Sequence, residues 1–256
     1  MRKSVNIGDR LLPLTFIIGL IIFWQWAVGF FHFAEWILPA PSQIFIALID
    51  SFDVLLDHTK ITLGEAALGL TAAVFLAGFL ALLMDSFSWV KKSFYPILIS
   101  SQTVPIITVA PLFVIWFGYG ILPKVIVVTL VCFFPMVISL LDGLASVDDD
   151  LINLLKTMGA SRRHIFFMVK LPGSLPCFFS GLKISVAYSI MGAVIGEWLG
   201  ASKGLGIFMS RAQHSFKLPE VFAAILVITI LSFAFLGLVK LVEKICMPWV
   251  NVGKKQ

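Results

Sequence analysis

The stretch NLLKTMGASRRHIFFMVKLPGSLP, residues 153–176, is a basic, helix-patterned segment between two hydrophobic blocks. Three aspartates precede it, and acidic residues favour a helix N-terminus. Apolar residues then recur at helical spacing, at Leu151, Leu154, Leu155 and Met158. Gly159 is placed to end this helix, because glycine tolerates the left-handed conformation common at helix C-termini. The pattern predicts a short amphipathic helix.

A second short helix is predicted directly after the glycine. Ser161 is placed to cap it, with Arg162 and Arg163 in its first turn. Basic residues in a first turn oppose the helix dipole, so we expect these charges to serve an acidic partner or anionic lipid. Leu171–Pro172 is then predicted to turn the chain back into the membrane. The result is a two-helix elbow, residues 148–172, whose apolar stripe needs a protein groove; an ordinary loop explains the charges but not the stripe.

The rest of the chain is far more hydrophobic than a soluble protein of its size. Of its 256 residues, 59% are hydrophobic and 13% are charged, and the mean hydropathy is +1.02. Soluble domains carry roughly 25% charged residues, and about 20 apolar residues span a bilayer. Uncharged runs therefore predict an all-α membrane protein, a single domain of residues 1–256 with six transmembrane helices. The predicted helices are 11–31, 66–84, 93–117, 125–141, 176–199 and 221–239.

The distribution of Lys and Arg predicts the orientation of these helices. With the N-terminus inside, thirteen Lys and Arg residues fall in cytoplasmic segments and five, including Lys124, in outer segments. Because positive charge favours the cytoplasmic side, both termini and the elbow are predicted to be cytoplasmic. The pI near 9.2 then reflects contact with membrane lipid, and no nucleic acid needs to be invoked. On the outer side, a helical repeat from Ile44 to Leu56 predicts an amphipathic surface helix.

The third and fifth predicted helices carry the candidates for a solute pathway. Pro96, Pro105 and Pro111 interrupt the third helix, and each leaves a backbone carbonyl without its usual donor. Two interpretations stay open: an irregular helix that faces an aqueous path, or simple kinks. In the fifth helix, small residues recur at every fourth position, which indicates close helix packing. An acidic residue at its outer end is either functional or solvated at the interface. The candidate pathway residues are Gln102, Thr103, Pro105, Tyr188, Ser189 and Glu197.

The sequence predicts no catalytic residue, metal site or bound cofactor. It has no G-x-x-x-x-G-K-[ST] motif, so ATP must be handled elsewhere. Its histidines occur without H-E-x-x-H or G-x-S-x-G, which disfavours an intramembrane hydrolase, and its three cysteines indicate no disulfide or metal pair. Two other classes stay open. A stand-alone ion-coupled transporter usually shows internal repeats, and none is convincing here. A membrane anchor for another complex would leave the proline-rich helix unexplained.

Several motifs together resemble the permease subunits of type I ABC importers. Gly159, followed after nine residues by Val169-Lys170-Leu171-Pro172, is similar to the G-x9-I-x-L-P part of that family's "EAA" loop. Three further stretches resemble the nitrate/sulfonate/taurine branch: LPAPSQI at 38–44, VPIITVAPLFVIWFGYG at 104–120 and GASKGLGIFMSRAQ at 200–213. The chain departs from the motif at Asn153-Leu154-Leu155, which stands where the family has Glu-Ala-Ala. A contact made by the family's Glu is therefore in doubt here.

The resemblance implies a set of partners and a mechanism. Such a permease pairs with a second copy and with two ATPase subunits, which bind ATP and Mg²⁺, in the bacterial cytoplasmic membrane. The elbow would sit in a cleft of each ATPase as a coupling helix, and ATP-driven closure would turn the pore outward. An extracytoplasmic binding protein would deliver the solute. The residues implied in ATPase docking are Leu154, Leu155, Met158, Gly159, Ala160, Arg162, Leu171 and Pro172.

The transported solute is predicted from one further stretch. GEWLGASKGLGIFMSRAQHSFKLPEVFAAILVIT, residues 196–229, most resembles members of this branch assigned to thiamine precursors such as hydroxymethylpyrimidine. An acidic Glu197 at the pore mouth would also repel a small anion. We therefore expect import of a thiamine-precursor pyrimidine or a related small heterocycle, with sulfonate, taurine or nitrate as the alternative.

Overall fold

The chain folds into helices joined by short turns. The computed structural model describes residues 7–248, with residues 7–11 described by their backbone alone. No β-strand occurs in this part of the chain. The helices are α1 Ile7–Phe31, α2 Pro41–Asp50, α3 Phe52–Ser86, α4 Ser88–Ser101, α5 Ile106–Phe117, α6 Ile121–Ala145, α7 Asp149–Thr157, α8 Arg162–Ile165, α9 Leu171–Trp198, α10 Leu205–His214 and α11 Leu218–Cys246. A π-helical turn, Phe166–Lys170, joins α8 to α9.

Five described segments are long and apolar enough to cross a membrane. They are Leu12–Phe31 within α1, the whole of α3, α6 and α11, and the continuous segment Arg162–Trp198. Helices α4 and α5, taken together, are also long and apolar enough to cross a membrane, with a bend of 101° between them. The predicted all-helical membrane architecture is confirmed, with five spans, or six when the bent pair counts as one. The orientation of these helices stays a prediction, because their length and composition do not tell which end is cytoplasmic.

The break between α4 and α5 has its cause in Pro105. This residue caps the N-terminus of α5 with φ −63° and ψ 119°, so the backbone there is extended and not helical. Proline has no amide hydrogen to continue α4, and its ring disfavours a helical residue before it. The hydroxyl of Thr103 donates to the carbonyl of Ser100 at 2.7 Å, which satisfies one acceptor at the end of α4. The third span is therefore an irregular helix and not a simply kinked one, and its facing an aqueous path stays a prediction.

Several helices extend beyond the uncharged runs that predicted them. Helix α3 begins at Phe52 instead of residue 66, because its charged first turns continue the same helix outside the apolar run. Its 35 residues give a length of about 52 Å, more than the roughly 30 Å hydrocarbon core. The amphipathic helix predicted over 44–56 is consequently divided at Ser51 between α2 and α3. Helix α6 begins at Ile121, so Lys124 lies inside a helix and not in an outer loop.

Helices α3, α6 and α9 form the buried centre of the fold. A Cβ atom at Gly192 of α9 would lie 3.2 Å from the Cα of Val128 in α6, and one at Gly196 would lie 3.1 Å from the Cα of Lys124. Glycine is needed at these positions because the two backbones approach so closely. The spacing of small residues in the fifth predicted helix therefore serves helix packing. Helices α1 and α11 lie at the periphery, and few of their residues are buried in this chain.

Candidate functional site

The elbow begins with two short helices that are capped by their own side chains. Asp148 caps α7 by accepting a 2.9 Å hydrogen bond from the amide of Asp150. Ser161 caps α8 by accepting a 3.3 Å hydrogen bond from the amide of His164. Between the helices, Gly159 has φ +82°, a left-handed conformation that glycine adopts without strain. Both helices and their connecting turn lie where the sequence predicts them.

The apolar stripe of α7 is exposed on this chain. The side chain of Leu154 is 56% exposed and that of Met158 is 74% exposed, while Leu155 is half-buried. Contiguous exposed apolar surface rimmed by charge is typical of interaction sites, so docking stays the interpretation of this stripe. Of the other docking candidates within the elbow, Gly159 and Arg162 are exposed and Ala160 is half-buried.

The last two docking candidates belong to a membrane helix. Leu171 and Pro172 are the first residues of α9, and the chain continues as one helical segment over Arg162–Trp198. The Leu-Pro pair forms no turn, contrary to the prediction. The reason is the π-helical turn before it, in which the amide of Leu171 donates to the carbonyl of Phe166, five residues earlier. This wider turn lets the helix pass Pro172 without ending.

An ion pair ties the elbow to the adjacent end of α3. The Nζ atom of Lys170 donates to both carboxylate oxygens of Asp85, at 2.7 and 2.9 Å. A cavity of about 560 Å³ opens between this end of α3 and the elbow. Its lining residues are Asp85, Ser86, Asp149, Ile152, Lys156, Arg162, Arg163, Ile165, Phe166 and Lys170. The two arginines of α8 therefore lie at the rim of a charged cleft, next to the exposed stripe.

A second cavity, of about 460 Å³, lies beside the break between α4 and α5. It brings together three of the six candidate pathway residues: Gln102, Pro105 and Tyr188. The remaining lining residues are Ser101, Val104, Ile106, Val109, Leu130, Val131, Phe134 and Pro135. No charged side chain is among these lining residues. Apolar walls with a few polar groups are the usual composition of a small-molecule site.

The other three pathway candidates lie outside this cavity. Thr103 is exposed, next to the break in the helix. Ser189 is fully buried, and its hydroxyl donates to the carbonyl of Val186 at 2.8 Å. Glu197 is also fully buried, and its carboxylate accepts from the hydroxyl of Thr62 at 2.6 Å. The expectation that Ser189 and Glu197 face a pathway is not supported, because both side chains are enclosed by neighbouring helices and have partners there.

Glu197 instead helps to anchor the first turn of α10. Three consecutive amides at the start of this helix donate to side chains of other elements: Gly204 to Nδ1 of His58 at 2.8 Å, Leu205 to Oγ1 of Thr62 at 2.9 Å and Gly206 to Oε2 of Glu197 at 2.5 Å. A helix cannot satisfy its first amides by itself, so these side chains serve as caps. They fix α10 against α3 and α9.

A buried ion pair was missed by the sequence analysis. The Nζ atom of Lys124 in α6 lies 2.5 Å from Oε1 of Glu65 in α3, and the two residues are 9% and 1% exposed. Glu65 directly precedes the uncharged run 66–84, and Lys124 directly precedes the run 125–141. These positions could have indicated that both residues lie inside membrane helices. Among the described residues, no group of three or more His, Cys, Asp or Glu side chains is arranged to hold a metal ion.

Comparison with known proteins gives consistent matches along most of the chain. Residues 69–246 match the family described as binding-protein-dependent transport system inner membrane component. The formylaminopyrimidine transport permease protein ThiX of Halalkalibacterium halodurans is 38% identical over 97% of this chain and 98% of that protein. The riboflavin transport system permease protein RibX of Chloroflexus aurantiacus is 32% identical over 93% and 89%. The taurine transport system permease protein TauC of Escherichia coli is 31% identical over 83% and 80%.

A solved structure shows the same fold. A chain from the crystal structure of an amino acid ABC transporter with histidines matches with a TM-score of 0.62 and 16% identity, over 78% of this chain and 97% of that chain. Proteins of the matched family work with ATPase and binding-protein partners and are themselves non-catalytic. The stand-alone ion-coupled transporter is thereby replaced as an interpretation. The chain belongs to the binding-protein-dependent transport system inner membrane components, and it is a multi-pass permease subunit of an ABC importer in the bacterial inner membrane.

Proposed function

We propose that this chain forms the translocation pathway for a thiamine-precursor pyrimidine or a related small, neutral heterocycle. The observation that carries the proposal is the uncharged cavity at the break between α4 and α5. The similarity to a formylaminopyrimidine permease over nearly the whole length of both chains supports the choice of solute. The riboflavin permease among the relatives is named for another heterocycle.

The chemistry of the cavity suits such a solute. Gln102 offers an amide that both donates and accepts hydrogen bonds, and Tyr188 offers a phenol. Leu130 and Phe134 supply apolar surface against which a flat ring can pack. These groups match the ring nitrogens and amino substituents of a pyrimidine. The charge of Glu197 does not bear on the choice of solute, because that carboxylate is buried and does not line the cavity.

A small sulfonate is the second candidate, and the taurine permease among the relatives is the observation that favours it. The cavity argues against it, since no lining cation would offset the charge of a desolvated anion. The test is uptake by the intact complex, purified with its own ATPase and binding protein and placed in liposomes. We expect saturable, ATP-dependent uptake of a labelled aminopyrimidine and none of labelled taurine. Uptake of taurine without uptake of the aminopyrimidine would contradict our proposal and support the sulfonate.

A second copy of this chain completes the pathway in our proposal. The cavity is bounded only by residues 101–109 together with α6 and α9, so it needs another wall to become a closed path. Exposed apolar side chains surround the same region, with Val104 at 52%, Ile107 at 49% and Trp116 at 63% exposure. A second copy would cover this surface. The mass of the intact complex tests this arrangement: two identical permeases and two ATPases are expected, and a heterodimeric permease would contradict it.

The elbow is the ATPase-docking element in this proposal. Its exposed stripe supplies apolar contact, and Arg162 supplies charge at the edge of the cleft. The bond between Lys170 and Asp85 gives a direct mechanical link from the docked elbow to α3. Closure of the two ATPases would therefore move α3 and α9 together with the elbow.

A further inference from the structure

Glu65, Lys124 and Glu197 meet at the centre of the bundle, where α3, α6 and α9 pack together. All three side chains are buried, with exposures of 1%, 9% and 0%. The position is remote from the elbow, because Lys124 lies at the start of α6 and Glu197 at the end of α9, whereas the elbow joins the opposite ends of these two helices. Neither the coupling surface nor the cavity at α4–α5 uses these residues.

The hydrogen bonds of this cluster leave one oxygen without a donor. Lys124 donates to Oε1 of Glu65, and the two oxygens of Glu197 accept from Thr62 and Gly206. Oε2 of Glu65 is buried, and no described residue donates to it. Thr62 and Glu65 are one turn apart on α3, so the carboxyl group of Glu197, which is bonded to Thr62, lies beside that of Glu65.

Two ionised carboxylates cannot satisfy each other. Each is an acceptor only, so no hydrogen bond forms between them, and their like charges repel strongly at low dielectric. With Lys124 as the single nearby cation, the ionised cluster would carry a net charge of −1 in the protein interior. A bridging water would give the orphan oxygen a donor but would leave that charge in place. One bound proton would both donate to this oxygen and bring the net charge of the cluster to zero.

We propose that this cluster binds one proton, held between the carboxyl groups of Glu65 and Glu197 as an O–H···O hydrogen bond. The bound proton brings the net charge of the cluster to zero. A protonated carboxyl group keeps accepting capacity, so Glu197 retains its bonds from Thr62 and Gly206. Release of the proton would set two carboxylates against each other directly beneath the first turn of α10.

None of the other ionisable groups near the cluster is placed to hold this proton in place of Glu65 and Glu197. His58 of α3 accepts the amide of Gly204 at Nδ1, so its own proton occupies Nε2. The charged groups around His58 are Asp57 of α3, Lys203 in the turn before α10 and Arg211 of α10. Lys124 is the one charged group that α6 places against the two carboxyls.

Infrared spectroscopy of the purified intact complex tests the proposal. Near neutral pH we expect the carbonyl stretch of a buried protonated carboxyl, equivalent to one group per chain, in the wild type. Glu197→Gln should abolish this band, whereas Glu220→Gln, in a partly exposed ion pair with Lys217, should leave it unchanged. Absence of the band from the wild type, or its persistence at full intensity in Glu197→Gln, would overturn the proposal.

Thermal unfolding supplies a second readout. The unfolded chain releases this proton above about pH 4.3, whereas the folded state holds it. The stability of the wild type should therefore fall as pH rises from about 4.3 to the pH at which the folded cluster loses the proton, and should then level off. In Glu197→Gln, the amide N–H replaces the proton as the donor to Glu65, so this part of the pH dependence should vanish. Equal pH dependence in Glu197→Gln, Glu220→Gln and the wild type would contradict a shared proton. Both readouts are independent of which solute is transported.

Discussion

Lys170, the last residue of the π-helical turn, donates to both carboxylate oxygens of Asp85 near the end of α3. The two residues are 85 positions apart in the sequence, and the bond joins the exposed elbow to a helix of the central bundle. Each side chain is about one-fifth exposed, so the pair lies at the edge of the protein where motion of the elbow would act on it. In our proposal, this bond transmits the motion of the docked elbow to α3.

Lys170→Met should therefore weaken coupling without preventing assembly. A charge-assisted pair at this exposure is worth on the order of 1–1.5 kcal/mol, which corresponds to a loss of roughly five- to tenfold in solute imported per ATP hydrolysed. The measurement is parallel uptake and ATP hydrolysis by the reconstituted complex. Lys60→Met is the matched control, because Lys60 pairs with Asp57 on an exposed surface of α3. Unchanged coupling in Lys170→Met would remove this bond from the mechanism.

Gly159→Ala should weaken ATPase binding. The φ of +82° at this residue costs an alanine about 1–2 kcal/mol, so the turn between α7 and α8 would shift or strain. We expect the ATPase that co-purifies with the chain to fall about fivefold or more, and Gly159→Pro to have a larger effect. Gly78→Ala is the control, since a Cβ atom there meets no neighbour and the site lies inside α3. If both alanine variants recover the same amount of ATPase, the turn at Gly159 does not contribute to ATPase docking.

Arg162→Glu tests the charge of the docking surface. The side chain is exposed at the rim of the cleft, so its reversal should leave the fold of the permease intact. We expect the ATPase to be lost from the purified complex while thermal unfolding of the permease is within about 0.5 kcal/mol of the wild type. Lys92→Glu makes the same charge change at an exposed position on α4. Loss of the ATPase from both variants would mean that overall charge, and not this site, governs docking.

Gln102→Leu tests the solute cavity. Replacement of the amide removes one polar group from the lining, which should cost about 1–1.5 kcal/mol of solute binding and reduce uptake efficiency roughly five- to tenfold. Thr103→Val is the neighbouring control, because Thr103 does not line the cavity. ATPase recovery should be normal in both variants. A larger transport defect in Thr103→Val than in Gln102→Leu would place the pathway elsewhere.

The features that were predicted from the sequence depend on local physics. Asp148, Gly159 and Ser161 define the elbow through caps and a left-handed turn, all within a few residues of one another. Pro105 breaks the third span because of its own missing amide. Such signals can be read without knowing which helices are neighbours.

The features that were missed depend on contacts between distant parts of the chain. Glu197 accepts a hydrogen bond from Thr62, 135 positions earlier, and this contact places the acid inside the bundle and away from the cavity at α4–α5. Lys124 forms an ion pair with Glu65, 59 positions earlier. Lys124 was assigned to an outer segment, and Glu65 fell just before the predicted helix 66–84, because charged residues usually lie outside a membrane. Only the packing of α3, α6 and α9 reveals that these charges are partners.

The central claim is that this chain imports solute together with an ATPase that docks on its elbow. The most direct measurement is ATP-dependent uptake by the complex in liposomes, with wild-type chain and with Arg162→Glu, in the presence of the binding protein loaded with a labelled aminopyrimidine. We predict uptake that requires both ATP and the binding protein and that is lost in Arg162→Glu. Uptake by the permease alone, without an ATPase, would contradict the account.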